Sequence, residues 1–460
     1  MCAWDRPTIH LLRRSAVAII LCTATASCTS YHSLPLAQRA DLAPGLAQLR
    51  HELPAPISTV IDVTRPLDLN SVGLLAVLND PELRSEWGQI NVAQAQLVQT
   101  SLLPNPSANL AYGALLGGPG TAASFAASLS EDITALVTYR ARVNAAEAHV
   151  AEMNAEQLWQ EWQVAQKARL LALDLYWGRQ AIDAQQRELE IVSAAYDKVR
   201  GATAAGNLDL TALSPLAAAK ATVEQSLATQ ELDELKSWQE LDGLLGLAPD
   251  VRFAIASPQL PPVPSDIDRL VTGLPEQRPD LIALQLGYRS ADEDVRAAIL
   301  GQFPAFTLGG SLNSDNTGVR SAGPTATFDL PLFNRNQGHI ATSNATRLLL
   351  HEQYQARLDN AVAGINGLRA QDARLHATLA AARAAAASAE TLARSARSAY
   401  AQANLDQRAW TDFETTALQR QLEVIALERS LGEVEITLTV ELGTGLPDTR
   451  IVPPDTSEDA

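Results

Sequence analysis

The sequence predicts a mainly α-helical protein with a small membrane β part, laid out twice along one chain. Three observations predict it: an apolar seam with heptad spacing, the tripeptide Asn-Leu-Asp recurring at 207–209 and 404–406, and two stretches in which apolar and polar residues alternate. Each is a periodicity that one kind of element produces.

Taken in chain order, the N-terminus comes first. Arg6, Arg13 and Arg14 precede an apolar run that fades into small residues, which predicts a secretory signal peptide over 1–27. The run is too short to span a bilayer. Thr25-Ala26-Ser27-Cys28 resembles a bacterial lipobox, with Cys28 the lipidated first residue of the mature chain. Thr25 stands where Leu is usual, and the alternative is an ordinary cleavage near Ser27 that leaves Cys28 free. Thr29 and Ser30, rather than Asp, follow Cys28, and in such lipoproteins that implies sorting to the outer membrane. Cys2 and Cys22 leave with the signal peptide, so neither a disulfide framework nor a thiolate metal site is available.

Composition narrows the classes further. The net charge is −17, aromatics make up 5%, and no window clusters Lys and Arg as a phosphate backbone would require. Nucleic acid is therefore excluded as a partner. Seven His are scattered at 10, 32, 51, 149, 339, 351 and 376, without HExxH spacing, and no phosphate loop or nucleophile elbow occurs. The chain does not read as an enzyme, and no cofactor is expected.

After an N-terminal segment (28–69), the first repeat runs over 70–245. A helix from about 70 to 103 stops at Pro104. In Ser107–Ala114, Ala108, Leu110, Tyr112 and Ala114 alternate with small or polar residues, as in a half-buried strand. Turn residues Gly117–Thr121 and a second alternating stretch (Phe125, Ala127, Leu129) complete a β-hairpin over 107–133. A helical hairpin follows over 136–245. Its seam reads Leu, Leu, Gly, Ile, Gln, Leu, Val, Tyr and Val at 171, 175, 178, 182, 185, 189, 192, 196 and 199.

A Pro-rich linker (246–275) leads to the second repeat, 276–445. Its β-hairpin covers 305–333, with Phe306, Leu308, Gly310 and Leu312, then Ala326, Phe328, Leu330 and Leu332, on the apolar side. Its helical hairpin covers 335–445. The seam shifted by 197 positions reads Leu, Asp, Leu, Leu and five Ala, so the alanine-rich run at 380–389 is close helix packing. An acidic tail (446–460) closes the chain. The duplicated tripeptides mark two turns, where Gly206 and Asn207, or Asn404 alone, supply the left-handed residue that a reversal needs. Four strands cannot close a barrel, so either they pack on something else or several copies pool them.

With Leu102–Gly113, Arg278–Leu312, Phe328–Gly338 and the two Asn-Leu-Asp turns, the chain resembles the TolC-like outer membrane factor family, in its efflux lipoprotein branch. The resemblance covers nearly the whole mature chain. It implies a homotrimer with a twelve-stranded outer-membrane barrel and a periplasmic tunnel of helices, in a Gram-negative bacterium. Its partners would be outer-membrane lipid, a periplasmic adaptor protein and an inner-membrane transporter. It also implies that the turns Gly206, Asn207, Leu208, Asp209 and Ala403, Asn404, Leu405, Asp406 dock the adaptor. Ala403 stands where Gly is usual, so the second turn is expected to differ. Acidic residues past that turn line the entrance in the family, which points to Asp412 and Glu414 as a gate. In the barrel, Leu110, Tyr112, Phe306, Leu308 and Phe328 would meet lipid, with Asn109, Thr307, Ser311 and Asp329 facing water. Phe303 and Phe333 would form an aromatic girdle. The family is a passive conduit, and the linker and tail would belt its tunnel. Two other readings stay open: a periplasmic coiled-coil scaffold or adaptor without a pore, and a channel for type I protein secretion.

Overall fold

The structure, a computed structural model, describes residues 31–52, 60–260 and 262–444. Residues 31–42 carry no helix or strand and belong to a unit of their own, 1–42. The signal peptide, Cys28 and the acidic tail lie outside the described residues.

All regular elements belong to the second unit. In order they are α1 (Leu69–Asn79), α2 (Pro81–Thr100), β1 (Ser107–Gly113), β2 (Ser124–Asp132), α3 (Ile133–Ala204), α4 (Ser214–Leu245), α5 (Ile267–Thr272) and α6 (Leu274–Gln277). Then come α7 (Pro279–Leu300), β3 (Phe306–Ser314), β4 (Arg320–Phe328), α8 (Gln337–Ala401) and α9 (Gln407–Glu441). At 1.5 Å per residue, the 72 residues of α3 span about 108 Å and the 65 of α8 about 98 Å.

The helices stand as four columns. Helices α1, α2 and α4 flank α3 on one side, α7 and α9 flank it on the other, and α8 packs beyond α7 and α9. The seam residues explain the arrangement. On α3 all nine seam positions are buried or half-buried, within a wide covered face that includes Leu171, Leu175, Ile182 and Val192. On α8 the equivalent stripe is also covered, through Leu379, Ala382, Ala393 and Ala396, but most of the helix around it is exposed. Alanine permits close approach along that one stripe, and α8 is left as an outer column.

The first predicted helix divides. Pro81 has no N–H to continue α1, and Asp80 caps α2 by accepting from the backbone N–H groups of Glu82 (2.7 Å) and Leu83 (3.0 Å). The second repeat breaks at the equivalent place, Arg278-Pro279, 198 positions on. The β-hairpin expected over 305–333 is also too long: β4 ends at Phe328, and Leu330 and Leu332 lie in irregular chain.

The linker is not a loose connection. Leu247 and Ile255 bridge in parallel to Ala43 and Leu67, and Phe253 meets Trp238 edge-on at 5.1 Å. Val251, Phe253, Ile255 and Leu260 thus pack on a core of Leu75, Leu173, Leu241 and Leu245.

Arg278 ties the columns together. Only 3% exposed, it grips Asp280 with two bonds (Nε–Oδ1 3.0 Å, Nη2–Oδ2 2.8 Å) and pairs with the Glu441 carboxylate at the end of α9. Its guanidinium lies 4.7 Å from the Trp159 ring of α3, and Arg357 of α8 reaches Asp280 at 3.1 Å. Removing Arg278 would strand two carboxylates with little compensation. Arg278→Ala should destabilise the fold by about 3–5 kcal/mol, and Arg278→Lys, which keeps charge without the planar fork, by less. Chemical denaturation of the purified variants measures both.

A second, half-buried charge group lies between α3 and α9, where Arg429 Nε stands 2.8 Å from both Asp174 and Glu433. Burial pushes Asp174 up to about 6, with Arg429 pulling down and Glu433 pushing up. The unfolded value is about 3.9, so between the two the fold holds a proton that the unfolded chain releases. Its contribution to stability is full below pH 4 and is lost as pH rises through about 6. Denaturation midpoints of Asp174→Asn against the unaltered chain across that window should show the slope flatten.

Candidate functional site: an open sheet and two helical turns

The sheet has order β1-β2-β3-β4, all antiparallel. Antiparallel partners share a face, so the register sorts the side chains. Leu110 pairs with Ala127, which pairs with Leu312, and that with Ala322; Tyr112 pairs with Phe125, and Phe306 with Phe328. Leu129, Gly310, Leu308 and Ala326 lie on the same side. The other side carries Ser107, Asn109, Ser128, Ser130, Thr307, Ser311, Asn313, Thr325 and Thr327, with Gly and Ala between them. One face is oily and the other hydrophilic without a single large apolar side chain.

Among the described residues nothing covers the oily face. Leu110 is 74% exposed, Tyr112 73%, Leu129 58%, Leu312 60% and Phe328 60%. Phe303 and Phe333, at the helix junctions, are 60% and 92% exposed. The outer strands β1 and β4 each have one unpaired edge. The β1 edge continues into the α2 column and the β4 edge into α8, so sheet and helices are open on the same two sides.

At the opposite end of the long helices lie the two turns, and their backbones match atom for atom. Gly206 N–H donates to Thr203 O (3.0 Å) and Asn207 N–H to Ala202 O (2.8 Å); Ala403 donates to Tyr400 O (3.0 Å) and Asn404 to Ala399 O (2.8 Å). The left-handed residues are Gly206 (φ 75°) and Ala403 (φ 60°). Neither Asn has a positive φ, which corrects the expectation that Asn404 supplies the reversal; the two turns part just beyond it, where a 3₁₀ turn (Leu210–Ala212) precedes α4 while α9 starts directly at Gln407. The Schellman pattern needs its left-handed residue one position past the helix, whatever that residue is. The Asp of each tripeptide is a helix cap: Asp209 accepts from Thr211 N–H and Asp406 from Ala409 N–H, both at 2.8 Å. Leu208 is 45% exposed and Leu405 half-buried.

The two candidate gate acids part company. Residues two apart on a helix do not share a face. Asp412 is exposed, whereas Glu414 is 5% exposed and held by Arg397 of α8 (Nε–Oε1 2.8 Å, Nη2–Oε2 2.6 Å) and by Trp410 Nε1 (3.1 Å). Trp410 stacks on Tyr400 at 5.0 Å, and Lys198 of α3 reaches the Tyr400 hydroxyl at 3.4 Å. Glu414 therefore clamps the second hairpin, and it is not a free gate carboxylate. The i, i+4 spacing of Trp410 and Glu414 was the signal for this clamp.

Residues 271–444 match the family model of the outer membrane efflux proteins. Over that stretch, which makes up the second repeat, the chain is similar to this family. A curated relative, toxin and drug export protein A of Aggregatibacter actinomycetemcomitans, is 29% identical over 165 residues, 34% of this chain and 36% of that protein. The match thus spans about a third of the relative's length. The fold of the chain is that of MtrE of Neisseria gonorrhoeae (TM-score 0.67, 16% identity, 91% of this chain and 98% of that one). VceC of Vibrio cholerae is similar (TM-score 0.65, 19% identity, 82% and 96%). Among the described residues no helix is long and apolar enough to cross a membrane.

The turn geometry sets opposite expectations for the two repeats. A left-handed Ala costs about 1–2 kcal/mol, partly offset by glycine's greater unfolded freedom. Ala403→Gly should stabilise by about 0.5–1 kcal/mol and Gly206→Ala should destabilise by about as much. Thermal unfolding of the purified variants reads both signs.

Proposed function

We propose that three copies of this chain join edge to edge into an outer-membrane channel, the exit duct of a tripartite efflux system. The observation that carries the proposal is the uncovered oily face of the sheet between two unpaired edges. A four-stranded sheet exposed in this way is stable only if its edges find partners and its oily face finds lipid. Pairing β4 of one copy with β1 of the next satisfies both at once, and the α8 column meets the α2 and α4 column of the neighbour on the same side. Such a head-to-tail contact closes into a ring. With four strands each, three copies make a twelve-stranded barrel.

The hydrophilic face then lines the pore. On this face Ser, Thr, Asn, Gly and Ala leave Asp132, opposite Thr307 at the end of β2, as the charged strand residue among those described, so most of the wall would pass cargo with little selection. This passive role suits a conduit rather than an enzyme. Selection falls to an inner-membrane transporter, with an adaptor seated on the turns at Gly206–Asp209 and Ala403–Asp406. Asp412, exposed just beyond the second turn, is the acid left to bias the entrance, and lipidation of Cys28 would add an anchor. The curated relative is named for both toxin and drug export, which is consistent with a duct indifferent to cargo.

Cysteine pairs scanned along β1 and β4 in a cysteine-free chain should link copies into a covalent trimer in outer membranes. Native mass spectrometry of the detergent-extracted protein should give three chains. A monomer with no cross-link at any register overturns the channel.

A further inference from the structure

Midway along α8 and near the end of α9, three metal-ligating side chains converge. Asp372 and His376 lie one turn apart on α8, and Glu435 faces them from α9, with ligand atoms all within 4.8 Å of one another. We propose that Asp372, His376 and Glu435 bind a divalent transition-metal cation of the zinc class, which staples the outer column α8 to α9.

Three features separate this cluster from an ordinary ion pair. First, the distances are those of ligands rather than of hydrogen-bonded partners. His376 Nε2 is 3.5 Å from both Asp372 Oδ1 and Glu435 Oε1, whereas a charge-assisted hydrogen bond would close to about 2.7–2.9 Å. In a tetrahedral site with bonds of about 2.0–2.2 Å, ligand atoms stand roughly 3.4 Å apart. Second, Asp372 Oδ1 is sealed from solvent and has no hydrogen-bond donor among the described residues. A buried carboxylate oxygen left without a donor costs stability unless a cation meets it. Third, two carboxylates share this space with a single imidazole, so negative charge outweighs positive in the cluster until a cation joins it. Arg383, two turns along α8, is engaged by Glu428 at 3.0 Å and leaves the cluster to itself.

The donor set narrows the ligand. One imidazole nitrogen with two carboxylate oxygens suits zinc, cobalt or manganese better than a soft copper(I) ion, which prefers sulfur. The carboxylate side chains are mostly enclosed (18% and 13% exposed), while His376 is 56% exposed and leaves an open side for water as fourth ligand. The proposal is independent of the channel reading.

The test is isothermal titration of zinc chloride into the full chain, purified in detergent, tag-free and stripped with chelator, with cobalt absorption as a second readout. One saturable site per chain is expected, with a tetrahedral cobalt spectrum and a raised melting temperature. His376→Gln, at an exposed position, should keep the helical circular dichroism and weaken zinc by on the order of 100-fold. His351→Gln, beside Glu352 on the same helix, should leave binding unchanged. Absence of a saturable site overturns the proposal. So does equal affinity in His376→Gln, or a loss caused by His351→Gln, since either outcome marks an adventitious ion only.

Discussion

A four-stranded sheet with one oily face and two unpaired edges has no stable arrangement alone in water, and this constraint shapes the rest of the molecule. Leu110, Tyr112, Leu312 and Phe328 stand open because none of the described residues covers them. The helices obey the same logic, since α8 and the α2 and α4 column are outer columns on the sides where β4 and β1 end. Strand edges and helix flanks thus call for the same neighbour. In the channel proposed above, a single subunit is one sector of a closed wall, and its exposed surfaces are unfinished interfaces.

Inside the sector, rigidity comes from polar contacts placed where the repeats meet. Arg278 joins the N-terminus of α7 to the end of α9 and the face of Trp159, and Arg357 brings in α8 through the shared Asp280. A guanidinium suits this position because its planar fork satisfies two carboxylates while its face rests on an aromatic ring. The first repeat has Asp80 at the equivalent place, and there it serves only as a helix cap. Duplication supplied the break at proline in both halves, and divergence turned one of them into a junction between columns.

The two turns show the converse, identical backbones from different residues. The hydrogen-bond pattern at Gly206 is repeated at Ala403 although alanine disfavours it. Long helices on either side leave the chain no other way to reverse in so few residues, and the clamp of Arg397, Glu414, Trp410 and Tyr400 holds the second hairpin in place. The first hairpin lacks that clamp. The two tips are therefore alike in shape and unlike in how firmly their helices are fastened.

Much of this was legible in the residues alone, because periodicity is a local property. The seam at 171–199 and its alanine-rich copy at 368–396 are the covered stripes of α3 and α8, and strict alternation at 107–113 and 306–312 became two clean sheet faces. Asn-Leu-Asp marked both reversals. What the sequence by itself could not determine depended on which side chains meet across elements. The split between Asp412 and Glu414, the convergence of Asp372, His376 and Glu435, and the reach of Arg278 to Glu441, 163 positions away, all require two helices to be placed side by side. Local pattern selects an element and the face it buries, whereas the partner of a charged side chain is chosen only when packing brings distant segments within a few ångströms.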